Sequence, residues 1–142
     1  MRSRTSLIID HEEEDQRFLT IAMVQVDAYV DCVAVPSGTA ALEKLRNDPG
    51  FTPDYIFLNL NLPGRDARQT LVELRRIERL RQVPVIVMSA TEDEEDVKEG
   101  LGLGATVFMV KPDTISKWIQ LLSKILYSTS LGKNVILSPG LY

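Results

Sequence analysis

Short, strongly apolar runs alternate with longer amphipathic segments along almost the whole chain, and this alternation restricts the fold more than any other feature. The runs "SLIID" (6–10), "YVDCVAV" (29–35), "DYIFLNL" (54–60), "VPVIVMSA" (83–90) and "ATVFMV" (105–110) have the length and β-branched content of strands. Between them, apolar residues recur at helical spacing. Phe18, Leu19, Ala22, Met23 and Val26 share one face of residues 14–27, and Leu71, Leu74 and Ile77 share one face of residues 66–80. A second helix carries Ala40, Ala41, Leu42 and Leu45, a fourth spans 91–104, and "KPDTISKWIQLLSKILYS" (111–128) supplies the fifth. Strands separated by helices cannot pair through tight hairpins, so the pattern predicts a parallel sheet covered on both faces.

Local signals refine this outline. Thr91, followed by a run of acids from Glu92 to Glu99, reads as the cap of the fourth helix, and Asp113 as the cap of the last. Gly100, Gly102 and Gly104 either loosen the end of the fourth helix or make Gly104 its stop. Trp118 is expected to be partly buried. Residues 1–128 form one domain, and 129–142 a poorly patterned tail in which "NVIL" adds an edge strand, docks on the body or stays flexible.

Composition removes several function classes. A net charge of -4 and a pI near 5.0 oppose a non-specific nucleic-acid surface. The basic cluster Arg75, Arg76, Arg79 and Arg81 is interleaved with Glu73 and Glu78, as on a solvated helix face. The single cysteine, Cys32, lies in an apolar run and is expected to be a core thiol. No stretch is long and apolar enough to span a membrane, and the N-terminus lacks a signal-peptide pattern, so a cytoplasmic protein is expected. No glycine-rich phosphate loop follows the first strand, where "DHEEED" would repel phosphate.

In a doubly wound parallel sheet the carboxyl ends of the strands share one edge, where the ligand crevice forms. That edge collects Asp10 and His11, Asn59, Ser89 and Ala90, and Lys111 with Pro112. Alone, each is an ordinary turn residue; their joint placement is informative.

These residues and their flanks resemble the receiver domain of two-component response regulators, the CheY-like superfamily. Asp10 after "LII", then "FLNLNLPG", "VPVIVMSA" and "GATVFMVKP" occur in the family's order over residues 6 to about 127, and "SGTAAL" (37–42) is similar to its small-residue second helix. The resemblance implies an α/β fold: a single flavodoxin-like, doubly wound (βα)5 three-layer sandwich with parallel strand order 2-1-3-4-5. In that family an acidic pair ends the first strand, and an aspartate ending the third accepts a phosphoryl group from a histidine kinase. Carried over, Asp10 and His11 take the acid pair and Asn59 the phosphoacceptor position. Asn61 takes the place whose backbone carbonyl binds metal, Ser89 that of the hydroxyl residue, and Phe108 that of the aromatic switch. Lys111 matches the lysine, and the resemblance implies a cis peptide before Pro112.

Two positions depart from the pattern. Aspartyl phosphate forms by attack of an ionised carboxylate, which the amide of Asn59 cannot provide. Magnesium prefers hard oxygen ligands, whereas the imidazole of His11 suits zinc, copper or nickel. Mg²⁺ binding is therefore expected to be lost or weak, with no resident metal or other cofactor and no catalytic residue: not an enzyme. Asp10 and Lys111 carry opposite charges, so they are expected to pair directly, with Lys111 also donating to the Asn59 oxygen. Phe108 is then either a fixed core aromatic or a rotating switch, and without a phosphate-driven pull on Ser89 the fixed reading is favoured. The expected function is that of a pseudo-receiver, a phosphorylation-independent interaction module in bacterial phosphorelay signalling. Its partner is a histidine kinase or an effector, or a second copy docked through helix 4, strand 5 and helix 5; no direct nucleic-acid or membrane contact is expected. The alternative is a functional phosphorelay receiver whose acceptor was mutated or is replaced by another residue such as Asp10.

Overall fold

The computed structural model describes residues 3–63, 66–91 and 93–127, together with the backbone of 135–137. The alternation read from the chain is realised as β1 (Arg4–Ile9), α1 (Glu13–Val26), β2 (Val30–Val35), α2 (Gly38–Asn47) and β3 (Tyr55–Asn59). It continues through α3 (Asp66–Arg76), β4 (Val85–Ser89), α4 (Glu94–Gly102), β5 (Val107–Val110) and α5 (Ile115–Tyr127). The five strands are parallel in the order β2-β1-β3-β4-β5. The segment "NVIL" contributes β6 (Val135–Leu137), which pairs parallel with β5, Val107 opposite Val135 and Met109 opposite Leu137. The rest of the tail, and Glu92 at the head of the acidic run, lie outside the described residues.

Two-residue periodicity divides the strands between two cores. Leu7, Ile9, Ile56, Leu58, Val85, Val87 and Phe108 meet α2, α3 and α4. Ile8, Phe57, Ile86, Met88, Val107 and Met109 meet α1 and α5 on the other face. Trp118 is more deeply buried than the partial burial expected, at 2% exposure. It shares the sheet-facing side of α5 with Leu121, Leu122 and Ile125, where so large an apolar ring gains most from burial.

Two helix starts differ from expectation. The cap of α4 is Asp93, whose Oδ1 accepts from the N–H groups of Glu95 (2.9 Å) and Asp96 (3.3 Å), not Thr91, which lies too far before the helix. Asp113 likewise lies one residue too early. Thr114 Oγ1 accepts from the Lys117 N–H at 3.2 Å, while Asp113 forms an exposed ion pair with Lys117 Nζ. Gly104, at φ 112°, is the stop after α4, adopting a backbone conformation that L side chains resist.

The basic cluster also differs. The α3 helix ends at Arg76, the chain extends at Ile77, and Glu78–Leu80 form a separate 3-10 turn. Arg75 is half-buried and donates to the carbonyls of Leu80 (3.2 Å), Val83 (2.9 Å) and Gly104 (2.8 Å) and to Thr106 Oγ1 (3.1 Å). Arg79 donates to the carbonyls of Leu45 and Phe51. These two arginines staple carbonyls of loops and helix ends that no strand ladder reaches, a task suited to a forked guanidinium. Only Arg76 and Arg81 are exposed. Among the described residues, no helix is long and apolar enough to cross a membrane.

Candidate functional site

The ends of β1, β3, β4 and β5 carry the candidate residues, and hydrogen bonds just beyond the strands hold their backbones. The Asp10 N–H reaches the Val35 carbonyl (3.1 Å), the Leu60 N–H that of Met88 (2.7 Å), and the Lys111 N–H that of Ser89 (2.8 Å). Asp10, Asn59 and Ser89 are almost fully buried, at 1%, 0% and 0% exposure. Buried polar groups of this kind must be satisfied locally: Asn59 donates to Asp10, and Ser89 Oγ accepts from a backbone N–H just beyond β4.

Asp10 is the centre of the arrangement. Its Oδ1 accepts from the Asn59 side-chain amide and from the Glu12 N–H, each at 3.0 Å. Its Oδ2 accepts from Lys111 Nζ, also at 3.0 Å. Lys111 donates a second time to Asp15 Oδ2 at 2.6 Å. Burial works against the ammonium charge. The hydrogen bond to Asp15 and the charge of Asp10 outweigh it and hold the Lys111 pKa above its ordinary value.

The expected pairing of Lys111 with Asp10 is present, but the expected donation to the Asn59 oxygen is not. That oxygen accepts from the Asn61 N–H at 3.0 Å, so the amide presents its N–H group to the acid. Asn61 itself links β3 to β4, its side-chain oxygen accepting from the Ala90 N–H at 3.1 Å. Ser89 Oγ accepts from the Thr91 N–H at 3.3 Å. His11 sits at the rim, its Nδ1 3.8 Å from Asp10 Oδ1 and its Nε2 3.9 Å from Glu12 Oε1. Among the described residues, Asp10, His11 and Glu12 are the one cluster with metal-ligand spacing. Phe108 is fully buried beneath α4; a Cβ placed on Gly100 would lie 3.7 Å from its ring. Pro112 is also buried, and the Lys111–Pro112 peptide is trans, not cis. The trans isomer is the lower in energy by about 0.5–1 kcal/mol, and the long lysine side chain reaches both acids without the alternative.

Asp15 is the residue that the linear pattern did not single out. The three acids opening α1 are explained by the helix dipole alone. One turn of helix after β1 nevertheless brings one of them back over the crevice, and that return is the available signal.

A parallel sheet of this order, with an acid, an amide, a hydroxyl and a lysine gathered at its carboxyl edge, defines the class of signalling receivers. The profile described as "Response regulator receiver domain" matches residues 7–123, and the chain belongs to this family, the receiver domains of two-component systems. It is 23% identical over 123 residues to Response regulator Rcp1 of Synechocystis sp., covering 84% of each protein. It is 34% identical over 106 residues to Transcriptional regulatory protein AfsQ1 of Streptomyces coelicolor, covering 75% of this chain and 44% of that protein. The chain spans about half the length of most of the curated relatives it matches. The phosphorylated cyanobacterial phytochrome response regulator RcpA superposes with a TM-score of 0.81 at 25% identity, over 92% of this chain and 99% of that one.

Proposed function

We propose that this receiver does not take up a phosphoryl group and serves as a pseudo-receiver, a phosphorylation-independent interaction module of a two-component system. One observation carries the reading: both oxygens of Asp10 are already in use, one by Asn59 and the Glu12 N–H, the other by Lys111. Phosphoryl transfer to the third-strand position needs an ionised nucleophile there, and Asn59 is a neutral amide turned with its donor inward. The donor set does not fit Mg²⁺. Asp10 is committed, the Asn59 oxygen is held by the Asn61 N–H, and the two ring nitrogens of His11 face different carboxylates. Magnesium binding is accordingly weak or absent, and no step is routed through it.

What remains is surface recognition. The face made by α4, β5 and α5, extended by β6 along β5, would meet a histidine kinase, an effector or a second copy of the chain. Likeness to a cyanobacterial phytochrome response regulator favours a sensor kinase as the first partner to test. Residues 1–128 form the receiver-like unit and 129–142 the tail. The acids of α4, Glu94, Glu95, Asp96 and Glu99, favour a protein partner over nucleic acid, in a cytoplasmic setting without membrane contact.

The test is exposure of the full chain to Mg²⁺ with acetyl phosphate and, separately, beryllofluoride. Intact mass should show no phosphoryl adduct, and NMR no magnesium-dependent shift at Asp10 or Asn59. A phosphorylated chain would sink the reading in favour of a working relay with a substitute acceptor.

A further inference from the structure

At the opposite edge of the sheet, where β3, β4 and β5 begin, a cleft of about 710 Å³ is lined by Arg4, Tyr55, Arg75, Arg81, Gly104 and Thr106, among others. We propose that this cleft binds a small anionic ligand carrying a phosphate or similar oxyanion, and that Arg75 transmits its presence to α4. Nothing in this proposal depends on the chemistry at Asn59.

The charge on the walls is the first support. Among the described residues, three guanidinium groups line the cleft against one carboxylate, that of Asp54, whose Oδ2 accepts the Thr5 N–H at 2.9 Å. Arg75 is the critical cation. Its acceptors are all neutral: three backbone carbonyls and the Thr106 hydroxyl. Among the described residues no carboxylate pairs with it, and burial pushes its pKa below the ordinary arginine value. A desolvated cation without a counter-charge is the kind of group that an anion stabilises. Arg4 is in similar company, donating to the Tyr55 hydroxyl and the Leu126 carbonyl, each at 3.1 Å. Arg81 is exposed, and its contact with Glu78 at 3.4 Å lies in solvent. Guanidinium forks match the geometry of oxyanions, and the cleft falls within the roughly 300–1,000 Å³ usual for small-ligand sites.

The route to α4 is short. Arg75 Nε holds the carbonyl of Gly104, the residue that turns the chain out of α4, and a Cβ at Gly104 would lie 2.8 Å from Arg75 Cγ. A ligand that draws the guanidinium outward must therefore disturb the exit of α4.

The experiment is an NMR titration of the ¹⁵N-labelled full chain with inorganic phosphate and with adenosine 5′-monophosphate, against sodium chloride at matched ionic strength. Saturable amide shifts are expected at Tyr55, Gly104 and Thr106, with Asn59 and Ser89 unmoved and slower or faster hydrogen exchange across 94–102. A stronger response to one probe identifies the source of the oxyanion. The exposed Arg81→Gln variant, which leaves the staples intact, should weaken binding about tenfold, as loss of one charge-assisted contact does. The proposal is overturned by the absence of saturable shifts with both probes, by equal shifts with chloride, by shifts centred on Asn59 and Ser89, or by unaltered binding in Arg81→Gln. Unchanged exchange in α4 would overturn the transmission through Arg75. Neither probe is a phosphoryl donor, so a working acceptor in the other crevice would not mimic saturable shifts at Tyr55, Gly104 and Thr106.

Discussion

The side-chain amide of Asn59 donates to Asp10, with 3.0 Å between Nδ2 and Oδ1. A carboxylate at 59 would have no hydrogen to offer and would set two negative charges at that separation in a buried site. Asn59→Asp is therefore expected to lose about 1–3 kcal/mol in the presence of EDTA, through a lost donor and like-charge repulsion. Magnesium should restore part of the loss in the variant and do nothing for the parent chain. Urea unfolding with EDTA or with MgCl₂ measures both, and a parent chain stabilised by the ion contradicts the self-satisfied crevice.

Lys111 and its two acids are not equivalent. Lys111→Met leaves Asp10, at 1% exposure, without its cation and should cost about 3–5 kcal/mol, the usual consequence of breaking a buried pair from one side. Asp15→Asn removes a partner that is 25% exposed and leaves the inner pair intact, so a loss of about 1 kcal/mol is expected. Denaturation midpoints rank the two. Equal losses would mean that the ammonium is held chiefly by Asp15.

Which features could be read from the chain alone follows from the range of the forces behind them. The strands are legible because apolar runs and βα alternation are local statements, their order is what the resemblance to the receiver family implies, and the crevice residues follow from knowing where parallel strands end. The staples are not. Arg75 and Arg79 look like members of a charged helix face, and their acceptors are carbonyls 5 to 34 residues away, invisible to any periodicity. Asp15 escapes for a related reason: its first-turn position already has a sufficient dipole explanation. The caps at Asp93 and Thr114 each lie within two residues of the position expected, since neighbouring Thr and Asp side chains compete for the same exposed N–H groups.

Alkaline stability should fall in two stages. Burial is the main cause that raises the Cys32 thiol above its ordinary 9.0. Above that pH the unfolded chain releases a proton that the folded chain keeps, so the folded state loses ground as pH rises. Lys111 is raised above 10.5, because Asp15 and Asp10 outweigh the opposing effect of burial. Its contribution is whole below 10.5 and disappears as pH climbs through the higher folded value. Cys32→Ala should abolish the first decline and Lys111→Met the second, in urea midpoints taken across the alkaline range.

Gly38 opens α2 against α3, and there is no room for a side chain. A Cβ would fall 1.7 Å from Thr70 Oγ1, 2.9 Å from Thr70 Cβ and 3.0 Å from Asp66 Oδ1. Rotating Thr70 relieves the first contact but not the second, because Cβ is fixed to the α3 backbone. Asp66 meanwhile accepts the Gly38 N–H at 2.8 Å, so the start of α2 cannot retreat without losing that bond. Gly38→Ala should accordingly cost about 2 kcal/mol, the scale of overpacking a tight interior contact. Adding Thr70→Ala removes the hydroxyl and the γ-methyl but leaves Cβ in place, so roughly half of the loss should remain in the double variant. The displacement should also be felt at the crevice, since β2 ends at Val35, whose carbonyl holds the Asp10 N–H just before α2 begins. A shifted Asp10 amide resonance in Gly38→Ala, partly restored in the double variant, is the expected signature; a single variant as stable as the parent would show that α2 and α3 have slack.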